Sequence, residues 1–176
     1  EWKFNNTEDL YANTVSDDIK LIPYKVGANK TAPTPYENIA DAAVTKTEKG
    51  IALKKSSCLF MDLNEADRLG NYTLVYDLKV ADAVSYSSLL QTNLDNTNDG
   101  KIFIAKNKLG LQAGGLGYGG SILPNTWYRI ALVVRNGLVS TYINGTHVGS
   151  AQNTFEDAWF INKEGAYLFC DESGET

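Results

Sequence analysis

Paired carboxylates are the residues of this sequence that bear most directly on catalysis. Enzymes that hydrolyse glycosidic bonds on a β-sandwich place acids at alternate positions of one strand, so that the side chains project into the same groove. Glu65 and Asp67 alternate, but no third acid completes an E-x-D-x-E or E-x-D-x-x-E run, and they lie in a turn-like segment. Glu156 and Asp157 are adjacent and would face opposite sides of a strand. The spacing of the carboxylates therefore disfavours glycoside hydrolysis. A glycoside hydrolase with an unfamiliar acid pair is the remaining alternative.

Two acidic loops have the oxygen-rich composition that suits calcium. The stretch LDNTNDGK contains Asp95 and Asp99, and the stretch CDESGET contains Asp171 and Glu175. Calcium is a hard cation that binds carboxylate and carbonyl oxygens in flexible loops. An EF-hand is excluded, because the twelfth position counted from Asp95 is Lys106 rather than glutamate. These acids are candidate ligands of a structural Ca²⁺ ion, and a solvated turn is the alternative for each loop.

Aromatic side chains outside the strongest strands are candidates for ligand stacking. Sugar-binding proteins use Trp and Tyr faces to stack on pyranose rings, while amide and carboxylate groups bind the hydroxyls. Trp159, Tyr86 and Tyr118 lie in loop-like or strand-end positions and are the candidate ligand-binding residues. Trp2 and Trp127 fit core or sheet-packing positions better. Ordinary packing is the alternative for the three candidates as well.

Two further features of the sequence do not indicate a catalytic site. The glycine cluster contains a G-x-G-x-x-G match at Gly115, Gly117 and Gly120, but Pro124 and a strand pattern follow where a dinucleotide site needs a helix. Glycines that permit tight bends and close backbone approach at a sheet edge explain the cluster better. His147 is the only histidine, and without a neighbouring nucleophile or further ligands it makes neither a catalytic triad nor a zinc site.

The elements that must position these residues are short β-strands. Side chains alternate over 72–80 and 127–135 with the period of two that marks a strand. Asn136-Gly137 and Asn144-Gly145 then tolerate the positive φ of type I′ turns, so strands over 138–143 and 146–149 complete a meander. Weaker patterns cover 19–22, 51–53, 58–63, 87–91, 101–105 and 166–170, and NEADRLG could form one helical turn. About nine or ten short strands predict an all-β antiparallel sandwich.

Length, charge and cysteine content limit the classes of function. The chain has 176 residues, enough for one domain, and a net charge of −5 with scattered basic residues. Polyanions such as nucleic acids are therefore poor candidate partners, and no apolar run is long enough to insert across a membrane. The Asn-, Thr-, Ser- and Gly-rich composition favours a secreted, periplasmic or cell-surface location. For Cys58 and Cys170, two buried free thiols are favoured over a disulfide.

The order of segments is similar to that of a known superfamily. The segments are WKFNNTEDLYANTVSDDIKLI, NYTLVYDLKV, SSLLQTNLDNTNDGKIFI, LGLQAGGLGYGG, NTWYRIALVVRNGLVSTYINGTHVGS and AYLFCDESGE. Over nearly the whole chain this order resembles the laminin-G-like, concanavalin A-like lectin/glucanase domains of bacterial secreted and surface proteins, where they accompany hydrolases as accessory modules. The resemblance implies a two-sheet antiparallel jelly-roll sandwich, a carbohydrate or protein ligand, and a structural calcium ion at the sandwich rim.

Two departures from that superfamily bear on the expected function. Such domains continue beyond D-x-x-G-E into one more strand, so we expect residues 1–176 to form a single sandwich domain whose closing strand lies outside this chain. The acid triplet of the catalytic members is absent. We therefore predict a non-catalytic carbohydrate-binding or accessory module of an exported protein with a neighbouring domain. The alternatives are a structural or protein-interaction domain that orients a neighbouring hydrolase, and a glycoside hydrolase with an unrecognised acid pair.

Overall fold

Fourteen β-strands and no α-helix make up the part of the chain that the computed structural model describes. Those residues are 19–26, 32–37, 42, 44–55, 57–64, 68–94, 101–111, 117–152 and 158–171. The strands are β1 (Lys20–Lys25), β2 (Thr34–Pro35), β3 (Val44–Thr47), β4 (Gly50–Leu53), β5 (Ser57–Asp62), β6 (Tyr72–Leu78), β7 (Ser87–Gln91), β8 (Lys101–Ala105), β9 (Lys108–Leu111), β10 (Gly117–Gly119), β11 (Tyr128–Arg135), β12 (Leu138–Ile143), β13 (Thr146–Gln152) and β14 (Ala166–Leu168). Within these ranges, no helix has the length and apolar character to cross a membrane.

The described strands form two main sheets and one separate hairpin. The eight-stranded sheet has the order β10-β9-β8-β7-β14-β5-β1-β2. The four-stranded sheet has the order β13-β12-β11-β6, and β3 pairs with β4 on their own. All of these strand pairs are antiparallel. The predicted all-β antiparallel sandwich is therefore confirmed.

The hydrophobic core lies between the eight-stranded and the four-stranded sheets. On β11, the inward residues Ile130, Leu132 and Val134 are almost fully buried. They form one apolar cluster with residues of the opposite sheet, among them Leu59 and Ile104. The intervening residues of β11 are half-buried or exposed, because side chains alternate between the two faces of a strand. Burial of the inward faces supplies the main stabilising term of the sandwich.

Two Asn-Gly turns set the register of the four-stranded sheet. Asn136 and Gly137 have φ of 51° and 75°, and Asn144 and Gly145 have φ of 51° and 81°. These positive values are those of type I′ turns, whose twist matches the twist of the flanking strands. The turns join β11 to β12 and β12 to β13. The predicted meander is confirmed.

Glycines bring the edges of the two sheets together at β10 and β13. Gly117 and Gly120 have φ of 62° and 65°, a region in which most side chains are strained. A Cβ atom on Gly119 would lie 2.5 Å from the carbonyl oxygen of Val148 on β13. This part of the glycine cluster therefore serves tight bends and close backbone approach at a sheet edge, as predicted. Gly115 lies outside the described residues.

Cys58 and Cys170 form a disulfide, so the prediction of two free thiols is wrong. The two residues are 112 positions apart in sequence, yet their Cα atoms are 5.6 Å apart. Antiparallel pairing of β5 with β14 explains this proximity, because it places the segment after β14 beside the start of β5. Tyr24, Phe60 and Tyr167 pack together next to the disulfide, with ring centroids between 4.9 and 6.3 Å apart. The disulfide therefore links β5 to the segment that follows β14.

The long strands follow the sequence prediction, whereas the short strands do not. β7, β8 and β12 have the predicted bounds, and β6 and β11 are shorter by two residues and one residue. β2, β3, β9 and β10 are not predicted by the sequence pattern, and each contains only two to four residues. Runs of that length are too short for a period of two to mark them. The helical turn considered for 64–70 includes residues 65–67, which lie outside the described ranges.

Candidate functional site

The four-stranded sheet turns one face to the core, and its other face consists of half-buried and exposed residues. The outward residues of β11 are half-buried or exposed: Arg129, Ala131, Val133 and Arg135. Their cross-strand partners continue this surface, so that Ala131 lies between Val75 on β6 and Tyr142 on β12. Val75 is 56% exposed. We call this surface, built from alternate residues of β6, β11, β12 and β13, the outer face.

Trp127 stands at one end of the outer face and is exposed. Its side chain is 42% exposed, and the Lys79 ammonium nitrogen lies 5.7 Å from the centroid of its ring. Trp127 precedes β11 by one residue and shares the outward orientation of Arg129, because alternate residues of a strand share a face. Of the two positions predicted for Trp127, the core position is therefore wrong, and the sheet-packing position stays a prediction. Its indole is available as an apolar platform for a ligand.

Arg129 and Asp77 form a bidentate ion pair beside Trp127. The two residues face each other across β11 and β6. The Arg129 Nε donates to Asp77 Oδ1 over 2.7 Å, and Nη2 donates to Oδ2 over 2.5 Å. Hydrogen bonding from Arg129 lowers the pKa of the Asp77 carboxyl and raises the pKa of the guanidinium. Both groups therefore stay charged at neutral pH, in a fixed relative position.

Backbone contacts at the start of β11 hold this end of the outer face in place. The Asn144 side-chain oxygen accepts a 2.9 Å hydrogen bond from the backbone N–H of Arg129. The backbone N–H of Asn144 donates to the Arg129 carbonyl over 2.8 Å. The hydroxyl of Tyr128 accepts a 3.1 Å hydrogen bond from the backbone N–H of Leu123. The second Asn-Gly turn thus anchors the strand end that carries Trp127 and Arg129.

A cleft of about 430 Å³ opens next to the exposed indole. It is lined by five residues from three parts of the chain: Lys49, Asp77, Trp127, Tyr128 and Arg129. Lys49 comes from the turn between β3 and β4. The cleft is an open depression on the surface rather than an enclosed pocket, so a bound ligand would stay partly exposed to solvent. This Trp127 cleft places an aromatic face, a carboxylate and basic side chains around one space.

A group of hydrogen-bonding side chains continues the outer face beyond the Trp127 cleft. His147 Nε2 lies 2.8 Å from the Ser150 hydroxyl, which lies 2.7 Å from the Ser140 hydroxyl. The Tyr142 ring packs edge-on against the His147 ring, with centroids 5.2 Å apart. These side chains are exposed or half-buried. They could bind the hydroxyls of a ligand that extends along the outer face from Trp127.

The structure brings together two of the three aromatic residues that the sequence indicated. Tyr86 and Tyr118 pack edge to face with centroids 6.4 Å apart, and Tyr86 packs in the same way on Phe103 at 5.9 Å. Burial, with a smaller effect from nearby Tyr86, raises the pKa of Tyr118 to about 12. The Tyr86 side chain is 39% exposed. A role for this tyrosine pair in ligand binding stays a prediction.

Trp159 lies in the core, and this position corrects its predicted role in ligand stacking. Its side chain is 1% exposed and belongs to the main apolar cluster. The carbonyl of Trp159 accepts a 2.7 Å hydrogen bond from the Tyr72 hydroxyl, and the neighbouring Ala158 carbonyl accepts one of 2.6 Å from Thr92. These contacts turn the segment inward although its sequence is loop-like. The faces of the Trp159 ring are therefore not available to a ligand.

Asp171 is the only predicted calcium ligand within the described residues, and it is 2% exposed. Asp95, Asp99 and Glu175 lie outside them. No three His, Cys, Asp or Glu side chains of the described part of the chain converge into a metal-binding group. The described residues therefore do not make a calcium site by themselves, and calcium stays a prediction.

The amino-acid sequence alone does not reveal the residues of the Trp127 cleft. Trp127 and Arg129 do share one face in the strand pattern, which was the available signal. That face also contains Ala131 and Val133, so both faces of β11 are apolar enough to belong to the core. Lys49 joins the cleft only through the packing of the β3–β4 turn. The pattern of a single strand therefore could not reveal the site.

Comparison with known proteins supports the fold assignment. No family model matches the chain, and no curated protein matches its sequence. Domain 4 of AbnA, an extracellular GH43 arabinanase from Geobacillus stearothermophilus solved with arabinotriose, has a TM-score of 0.58 and 13% identity, covering 96% of this chain and 78% of that chain. The kappa-carrageenase from Pseudoalteromonas carrageenovora, solved with an oligotetrasaccharide of kappa-carrageenan, has a TM-score of 0.37 and 11% identity. This match covers 88% of this chain and 66% of that chain, and its TM-score is too low to show a shared fold. The arabinanase domain shares the β-sandwich fold, and the laminin-G-like assignment stays a prediction.

Proposed function

We propose that this chain is a non-catalytic carbohydrate-binding module and that it holds an oligosaccharide in the Trp127 cleft. The observation that carries the proposal is the exposed indole of Trp127, set beside the ion pair of Arg129 and Asp77. One fold can host many different functions. The proposal therefore rests on the chemistry of the site and not on the β-sandwich.

The chemistry of the Trp127 cleft suits a sugar. An indole face stacks on the apolar C–H face of a pyranose or furanose ring, and this contact excludes water from both surfaces. The Asp77 carboxylate accepts hydrogen bonds from sugar hydroxyls, while the guanidinium of Arg129 donates to them. Because the ion pair already fixes both groups, a ligand would order few side chains on binding.

Binding fits the Trp127 cleft better than cleavage does. Hydrolysis of a glycosidic bond requires two carboxyl groups, one of which donates a proton. Asp77 is the only carboxylate among the described residues that line the cleft. Its pKa is lowered by hydrogen bonding to Arg129, so the carboxyl group is ionised at neutral pH and is a poor proton donor. These properties support a module that binds rather than hydrolyses.

An exported location is part of the proposal. The disulfide between Cys58 and Cys170 supports it, because such bonds persist in oxidising compartments and are rare in the cytosol. A binding module of this kind would hold a neighbouring catalytic domain close to a polysaccharide. The neighbouring domain and its activity are expectations from the superfamily resemblance.

Affinity electrophoresis tests the proposal. The 176-residue chain would be run in native gels that contain arabinan, xylan, galactomannan, polygalacturonate or kappa-carrageenan. We expect at least one polymer to retard the chain, and we expect Trp127→Ala to abolish that retardation. Leu138→Ala is the control and should still be retarded, because Leu138 is an exposed apolar residue at the far end of the outer face. Migration unaffected by every polymer would contradict the proposal. Loss of retardation in Tyr86→Ala but not in Trp127→Ala would move the site to the tyrosine pair.

A further inference from the structure

We infer that the Trp127 cleft selects negatively charged saccharides, whose carboxylate or sulfate groups bind Lys49 and Lys79. This inference rests on the proposed function and specifies its ligand class. It follows from the charge balance at the cleft, from the position of Lys79 over the stacking ring, and from the contrast with the charge of the whole chain.

Basic groups outnumber acidic groups at the Trp127 cleft. Arg129 and Asp77 compensate each other through their ion pair. The ammonium groups of Lys49 and Lys79 make no ion pair with a carboxylate within the described residues. Glu48 precedes Lys49 in the turn but does not line the cleft. Two cations are therefore available to an anionic group of a ligand.

Lys79 places its charge next to the ring on which a sugar would stack. Its Nζ atom is 5.7 Å from the centroid of the Trp127 ring, within the range of a cation–π contact. A sugar ring stacked on the exposed part of the indole would bring its substituents close to this ammonium group. A carboxylate or sulfate at the edge of the sugar could then pair with Lys79 while the ring stays on Trp127.

Lys49 places a second cation at the cleft from a different element. It is held on the turn of the β3–β4 hairpin, where its backbone N–H donates to the Thr47 hydroxyl over 3.3 Å. A neutral saccharide would gain only the stacking and hydroxyl contacts.

The local charge at the cleft is opposite in sign to the charge of the whole chain. A net charge of −5 repels polyanions on average, and the scattered basic residues of the sequence suggest no binding surface for them. Lys49, Lys79 and Arg129 are distant in sequence and converge only in the folded sandwich. Complementary charge gives specificity and faster association, so a basic cleft on an acidic protein is suited to discriminate acidic from neutral sugars.

Calorimetry with matched saccharides tests this inference on the 176-residue chain. One pair is a galacturonate tetrasaccharide and its methyl ester, in which methylation removes the charge of the carboxyl groups. The second pair is a kappa-carrageenan tetrasaccharide and its desulfated form, so the two pairs distinguish carboxylate from sulfate. We expect one acidic form to bind about tenfold more tightly than its neutral partner, with the difference shrinking at high salt. Equal or tighter binding of the neutral forms would overturn the inference.

Charge-reversal variants test whether Lys49 and Lys79 cause the preference for acidic saccharides. The double variant Lys49→Glu/Lys79→Glu should lose the preference for the acidic form, whereas Lys108→Glu, an exposed lysine on β9 of the eight-stranded sheet, should keep it. An unchanged preference in the double variant would overturn the inference. If only a neutral polymer retards the chain, and Trp127→Ala abolishes that retardation, the inference of charge selection is wrong but the proposed carbohydrate binding is supported. If no polymer retards it, both fail.

Discussion

Arg129 on β11 donates two hydrogen bonds to the carboxylate of Asp77 on β6. Both side chains are exposed, and exposed ion pairs contribute little to the free energy of folding. The pair lies next to Trp127 and lines the same cleft. The pair therefore contributes little to stability, and under the proposed function it would present both charged groups to the ligand.

Replacing Arg129 should weaken ligand binding with little effect on stability. We expect Arg129→Ala to reduce the affinity for the polysaccharide that retards the chain. The variant lacks the guanidinium, and the Asp77 carboxylate is no longer oriented by it. The melting temperature should change by less than about 3 °C. Arg135→Ala is the matched control, since Arg135 is exposed on the same face at the other end of β11. Equal loss of affinity in the two variants would argue against a role of the ion pair.

Removing the disulfide should lower stability substantially. The Cys58→Ala/Cys170→Ala variant loses a link across 112 residues, and such a link typically contributes about 2–4 kcal/mol. The melting temperature should fall by roughly 5–15 °C. Reductant should lower the melting temperature of the wild type but leave that of the variant unchanged. Titration of two thiols in the denatured, unreduced wild type would show that the bond is absent.

Stability should decrease in alkaline solution because of two buried tyrosine hydroxyls. Burial raises the pKa of Tyr72 and of Tyr76, whose rings are half-buried while their hydroxyl ends lie inside the sandwich. A raised pKa in the folded state stabilises the protein below the unfolded pKa of about 10, and this contribution is lost as the pH rises above it. Urea unfolding at pH 7, 9 and 11 should show a smaller decrease in Tyr72→Phe/Tyr76→Phe than in the wild type. Parallel decreases in the two proteins would contradict this assignment.

Calcium binding would show as a change in stability on chelation. A ligand that binds only the native state raises its stability, so the melting temperature should be higher with CaCl₂ than with EDTA if the predicted site forms around Asp171. In that case Asp171→Asn should reduce the difference between the two conditions. Identical melting curves of the wild type in CaCl₂ and EDTA would show that the prediction is wrong.

The sequence predicts the sandwich better than it predicts the site. The long strands and the two Asn-Gly turns are local features, and the structure confirms them. The disulfide and the Trp127 cleft depend on contacts between distant segments, which no local pattern encodes. The sequence also predicts exposure where the structure shows burial. Trp159 lies in a loop-like stretch, but hydrogen bonds from Tyr72 and Thr92 turn this segment into the core.

The most direct test of carbohydrate binding at Trp127 follows the indole N–H signals of the three tryptophans in an ¹⁵N-labelled chain during titration with the oligosaccharide of a retarding polymer. The signals would be assigned with Trp127→Phe and Trp159→Phe variants. We expect the Trp127 signal to shift in a saturable way while the signal of the buried Trp159 stays in place. Saturable shifts elsewhere in the spectrum with an unmoved Trp127 signal would contradict the proposed site.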